Sequence, residues 1–133
     1  MDAYQELINH LDDLGVIVHI ERSKMVDRVG FPYGSKHYDV TVSNQSGDSF
    51  REVYSQGSAV KEEPSVFTVL SALMFDYQCG GLAFEDFCYT LGYDVDSRED
   101  YKLWKHSKAV NEEMVTVLSR DVIDTISDML QDY

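Results

Sequence analysis

The sequence predicts an α+β fold: an N-terminal helix and a three-stranded antiparallel sheet, followed by a helical C-terminal half. Three observations carry that prediction. Residues 16–55 hold short runs rich in β-branched residues, one of them alternating apolar and polar with period two. Residues 64–133 carry apolar residues at three- and four-residue steps instead. Strands and helices are therefore segregated along the chain, which favours helices packed on one face or one end of a sheet. With 133 residues, 44% of them hydrophobic, the chain is one domain, 1–133, able to build a core without disulfides or metals. Residues 1–63 supply the helix and the meander, and residues 64–133 the helical subregion.

The elements follow in order. Asp2 can cap a helix over 2–14, with Tyr4, Leu7, Ile8, Leu11 and Leu14 on its apolar stripe and Gly15 ending it. Val16 to Ile20 reads as a strand. Arg22 to Lys36 is punctuated by Gly30, Pro32 and Gly34 and reads as a loop, with room for a short strand or turn near Met25–Val29. Lys36 to Ser43 alternates cleanly, with Tyr38, Val40 and Val42 on one face and His37, Asp39 and Thr41 on the other. Asn44 to Asp48 is a hairpin loop, and Ser49 to Ser55 returns as a third strand carrying Phe50, Val53 and Tyr54.

Pro64 suits the first position of a helix whose broad face holds Val66, Phe67, Leu70, Leu73, Met74 and Tyr77. That helix stops at Cys79-Gly80-Gly81. A short helix carries Phe84, Phe87, Cys88 and Leu91 on one side, and Gly92 supplies the left-handed residue that stops it. Asp96 is placed to cap the next helix, with Glu99 as reciprocal partner. Tyr101, Trp104, Met114, Val117 and Leu118 are its inward residues, and Lys102 to Lys108 holds the chain's basic cluster. Ser119 can cap a last segment with Val122, Ile123, Ile126, Met129 and Leu130 inward. The pattern leaves open whether 97–131 is one bent helix or two.

The run F-E-D-F-C-Y-T-L-G-Y-D-V-D-S-R, Phe84 to Arg98, resembles a pattern of small acidic phage and prophage proteins, F-E-D-F-C-x-x-L-G-Y-D-x-D-S-R. The resemblance covers residues 64–118. It brings no catalytic residues. Some similar proteins of mobile elements inhibit host defence systems, so it implies an anti-CRISPR protein acting in the bacterial cytoplasm. The C-terminal Ser119–Tyr133 segment departs from the pattern.

Charge is the strongest compositional fact. The chain has 11 Lys and Arg against 24 Asp and Glu, a net of −13. Residues 1–63 contribute 6 basic and 11 acidic side chains, and residues 64–133 contribute 5 and 13. Direct nucleic-acid binding is excluded on this balance, because phosphate contacts need Lys and Arg. Two readings of the acid excess stand: a solvated surface, and a surface for a basic partner such as a nucleic-acid-binding subunit of a defence complex. No run of 18 apolar residues predicts a membrane span, and the N-terminus lacks the basic and apolar regions of a signal peptide.

Catalytic and metal signatures do not emerge. Asp94, Asp96 and Asp100 have the acid content of a calcium loop, but Glu99 stands where the turn glycine belongs and Lys105 where the bidentate Glu belongs. His10, His19, His37 and His106 lack ligand spacing, and Cys79 and Cys88 lack a zinc pattern. Cys88, on an apolar stripe, reads as a buried free thiol. No phosphate loop or nucleophile elbow occurs. The expectation is a non-enzymatic binding module without metal or cofactor, its oligomeric state open. The partner-binding residues are Asp94, Asp96, Glu99 and Asp100 at the turn, Glu112 and Glu113 on the long helix, and Asp121, Asp124, Asp128 and Asp132 at its end. The last four step by three or four residues along one helix side, with neighbours roughly 5–6 Å apart, of the order of phosphate spacing along one strand. The alternatives are a phage accessory protein that binds another host or phage protein, and a small enzyme without a recognisable motif.

Overall fold

The structure, a computed structural model, describes residues 3–28 and 30–131. Asp2, read above as a cap, Val29 and Asp132 lie outside that description. Eight elements follow the predicted order: α1 (Ala3–Asp13), β1 (Ile17–Arg22), β2 (Lys36–Ser43), β3 (Ser49–Gln56), α2 (Val66–Gly80), α3 (Phe84–Leu91), α4 (Arg98–Leu118) and α5 (Arg120–Gln131). The three strands form one antiparallel sheet in the order β1-β2-β3.

The hairpin fixes the sheet's register. Asn44 Oδ1 accepts from the backbone N–H groups of Ser46 (2.9 Å) and Asp48 (3.0 Å), the local bonding that makes Asn a turn former. Pairing then runs from Ser43↔Ser49 to Lys36↔Gln56, and from Ile17↔Ser43 to Arg22↔Tyr38. This register sets Val18, Val42 and Phe50 side by side, then Ile20, Val40 and Glu52, then Arg22, Tyr38 and Tyr54. The helices cover this face. Val53 belongs to the opposite face from Phe50 and Tyr54. On the other face His37 is 1% exposed, shares a 2.7 Å hydrogen bond with Ser55 and meets the Phe31 ring edge-on at 6.3 Å. No strand forms at 25–28, and β1 runs on to Arg22.

The main core joins Leu7 and Leu11 of α1 to Val40, Val42 and Phe50 of the sheet. It continues through Leu70 and Leu73 of α2, Val110 and Met114 of α4, and Ile123 and Ile126 of α5. Burial at about 25 cal/mol per Å² of apolar surface makes this cluster the chief stabilising contribution. A smaller cluster around Cys79, Phe87 and Cys88 lies under the α3–α4 corner, with Trp104 against it. Both cysteines are buried free thiols, and burial raises the pKa of each.

Helix ends differ in detail from the sequence reading. Pro64 precedes the cap of α2; Ser65 is the cap, its Oγ accepting from Thr68 N at 3.2 Å. α2 and α4 touch at Gly80, where a Cβ would run into the Ser107 carbonyl. Asn111 Nδ2 donates to Tyr77 O at 2.8 Å beside that contact, and Trp104 Nε1 donates to Leu82 O at 2.9 Å. Tyr101, expected inward, is exposed; Ser107 and Val110 are buried in α4 instead. The stretch 97–131 is two helices. They part at Ser119, whose φ of 68° is the one positive value at a non-glycine among the described residues. Ser119 O accepts from Ile123 N at 3.2 Å and starts α5.

Candidate functional site

β3 is an edge strand, and Arg28, Phe31 and α4 lie beside it. Arg28 reaches that edge: its Nη1 donates to Val53 O (3.0 Å) and to Ser55 Oγ (3.1 Å), and its guanidinium lies 4.9 Å from the Phe31 ring centre. An edge carbonyl is thereby satisfied, which discourages pairing with another chain. Between Arg28, β3, α2 and α4 a cavity of about 310 Å³ opens. Its apolar walls include Val40, Val69, Leu73 and Leu103, and its polar groups include Glu52, Asp76, His106 and Arg28.

The alternation of β3 puts Glu52 on the helix-facing side, opposite the buried Val40. Its side chain is 15% exposed, and its Oε2 lies 3.4 Å from His106 Nε2 of α4. Burial raises the Glu52 carboxyl from 4.5 to about 7; a hydrogen bond with the Glu113 carboxyl and repulsion from Glu113 and Asp76 add to the rise, while Arg28 opposes it. Burial also raises Asp76, against the charges of His106 and Arg28 and a hydrogen bond from Ser107. A carboxyl that exchanges its proton near neutrality, in a cavity with apolar walls, can pair with a cation or pass a proton.

The sequence-predicted acids fall into three places. At the turn, they hold the chain. Asp94 Oδ1 accepts from Asp96 N (2.9 Å), Asp100 Oδ2 accepts from Asp94 N (3.0 Å), and Ser97 Oγ accepts from Asp100 N (3.2 Å). The cap of α4 is therefore Ser97, not Asp96, and the acid that reaches back is Asp100, not Glu99. Asp94, Asp96 and Ser97 are all competent caps by type, and the Asp94 bond to Asp96 N decides the register by holding residue 96 outside the helix. Glu99 lies on the exposed surface, 3.9 Å from Lys102. On α4, Glu113 joins Glu52, and Glu112 and Glu113 line a shallower groove beside Ser49 and Phe50. On α5, Asp121, Asp124 and Asp128 are exposed in one row, while Ile123 and Ile126 are fully buried. Glu113 thus turns to β3 and does not extend the α5 row.

Sequence reasoning missed Glu52, Asp76, His106 and Arg28 as a group. The available signal was Glu52 itself, a carboxylate between Phe50 and Tyr54 on a strand's apolar side. Asp76 repeats it on α2, three residues after Leu73. The basic cluster lies elsewhere in character: Lys105 sits 5.7 Å over the Tyr101 ring and Lys108 5.3 Å over Trp104, at the exposed α3–α4 corner.

No family model, curated protein or solved structure matches the chain. None of its helices is long and apolar enough to cross a membrane, among the described residues.

Proposed function

We propose that the chain is a non-enzymatic, phage-encoded inhibitor of a bacterial CRISPR–Cas complex, binding a basic, nucleic-acid-binding subunit through carboxylates. One observation carries the reading: Asp121, Asp124 and Asp128 stand exposed in a row along α5, on a chain of net charge −13. Their spacing follows from helix geometry, with Cβ atoms of successive members roughly 5–6 Å apart. Exposed charges of this kind add little to folding, so a fold-based reason for the row is weak. A row of fixed carboxylates facing water complements a surface that normally holds phosphates, and charge complementarity of this sort speeds encounter and selects partners. The phage-protein resemblance of residues 84–98 supplies the class of partner.

The test is capture of a partner from bacterial host lysate at low and high salt, with the wild type and with Asp121, Asp124, Asp128 and Asp132 changed to asparagine. The expected result is a basic protein retained at low salt, released at high salt, and bound more weakly and with less salt dependence by the fourfold variant. Equal binding and equal salt sensitivity in the variant would remove the α5 row as the contact surface.

A further inference from the structure

The cavity between β3, α2 and α4 is separate from the α5 row, and the α5 reading makes no use of its chemistry. Its carboxyls stand in two walls, Glu52 on β3 and Asp76 on α2, with Glu113 of α4 behind Glu52. The facing cationic groups are Arg28, already bonded to Val53 O and Ser55 Oγ, and His106, paired with Glu52. Arg28 is thus committed to the strand edge, and three carboxyls, Glu52, Asp76 and Glu113, stand against it and one imidazole.

The shape narrows what pairs with those carboxyls. Among the described residues, no three His, Cys, Asp or Glu side chains converge closely enough to hold a metal ion. A compact ion is therefore a poor match for carboxyls on separate walls. A planar guanidinium on an apolar stem is a better one, because it presents five donors in a fork to more than one carboxylate while its methylenes lie on apolar surface. The walls provide that surface in Leu73 and Val69, and two exposed apolar residues, Phe31 and Leu103, stand among the lining. At about 310 Å³ the cavity is at the small end of ligand sites, which run from roughly 300 to 1,000 Å³.

We infer that this cavity receives an arginine side chain of the basic partner, with Glu52 and Asp76 as the receiving carboxylates. The inference rests on the proposal of a basic partner and adds to it a defined pocket, distinct from the α5 row. A guanidinium there favours the ionised form of Glu52, whose pKa lies near 7 in its absence, so binding at neutral pH releases a proton to solvent. Arg28, Asp76, His106 and Glu113 all face the same carboxyl.

The test uses the isolated full chain and Nα-acetyl-arginine amide as the probe, followed by NMR, with Nα-acetyl-norleucine amide as the apolar control. The expected result is saturable shifts at Glu52, Asp76 and Leu103, with the norleucine compound about tenfold weaker. Binding should weaken as pH falls below neutrality, and the Glu52→Gln, Asp76→Asn double variant should lose about tenfold in affinity while keeping its spectrum elsewhere. Absence of saturable shifts at those residues would overturn the inference. So would equal binding of the two probes, or unchanged affinity in a double variant that is folded. A probe that fails in the cavity while the α5 variant still loses the basic partner would remove the pocket alone. A probe that binds while the α5 variant keeps the partner would remove the row alone.

Discussion

Glu52→Gln should make the protein more stable above neutral pH and leave it unchanged in mild acid. The folded chain holds the Glu52 proton up to about pH 7, against an ordinary value of 4.5. Between those limits the folded state carries a proton that the unfolded chain has released, so stability falls as pH rises through the window and levels off above it. The full displacement corresponds to about 3 kcal/mol, at about 1.4 kcal/mol per pH unit. Glu52 is itself partly exposed and its Glu113 partner is exposed, so solvent screens the cost; about 1–2 kcal/mol is the working figure. Glutamine keeps the shape and the hydrogen-bonding capacity and removes the charge. For a chain of this length, each 1 kcal/mol is worth about 4 °C in melting temperature. Thermal melts of both proteins at fixed moderate salt should therefore coincide near pH 4, below the ordinary value of 4.5, and separate by about 4–8 °C near pH 8, the variant higher. Glu99→Gln, at an exposed site, controls for the loss of one charge from an acidic molecule. A Glu52→Gln difference that is the same at both pH values, or no larger than the Glu99→Gln difference, would refute the reasoning.

Two further predictions concern the helical half. At the α3–α4 turn, Ser97→Ala and Gly92→Ala should each lower stability by about 1 kcal/mol, through a lost cap and a strained left-handed residue. Asp96→Ala should cost well under that, and urea midpoints order the three. At the helix crossing, Gly80→Ala should cost about 2–4 kcal/mol, because the Ser107 backbone has no side chain to move aside. Gly81→Ala is the comparison, since its Cβ would meet neighbours only at ordinary contact distance, 3.5 Å and beyond, and denaturant unfolding of the pair measures the difference.

Local patterns made most of the fold legible. The alternation of residues 36–43 specified β2 and its buried face. The stop at Gly92 was readable because few residues but glycine take a φ of 74° cheaply; the Tyr93 N–H bond to Cys88 O (2.8 Å) and the Phe87–Tyr93 ring contact complete it. The cap of α4 was misplaced by one residue, since Asp94, Asp96 and Ser97 are alike in type and only their mutual hydrogen bonds choose among them. Ser119 was legible as a cap for a last segment but not as a break between two helices, because its positive φ leaves no mark on the residue type. The cavity was the least legible feature. Glu52, Asp76 and His106 are spread over 55 residues of sequence and meet only through strand register and helix crossing, neither of which one sequence reveals.

The Gly80–Ser107 contact acts as a gauge for the cavity beside it. Asp76 stands one helical turn before Gly80, and His106 is the residue next to Ser107. Both polar walls are thus referenced to a point where one helix has no side chain and meets the other's backbone. Side chains can be trimmed or change rotamer; a backbone stop cannot be shortened. The span between α2 and α4 is accordingly a rigid dimension, and the Asn111–Tyr77 bond pins it a second time. Substitutions elsewhere in the core can loosen the protein as a whole and still leave this width unchanged.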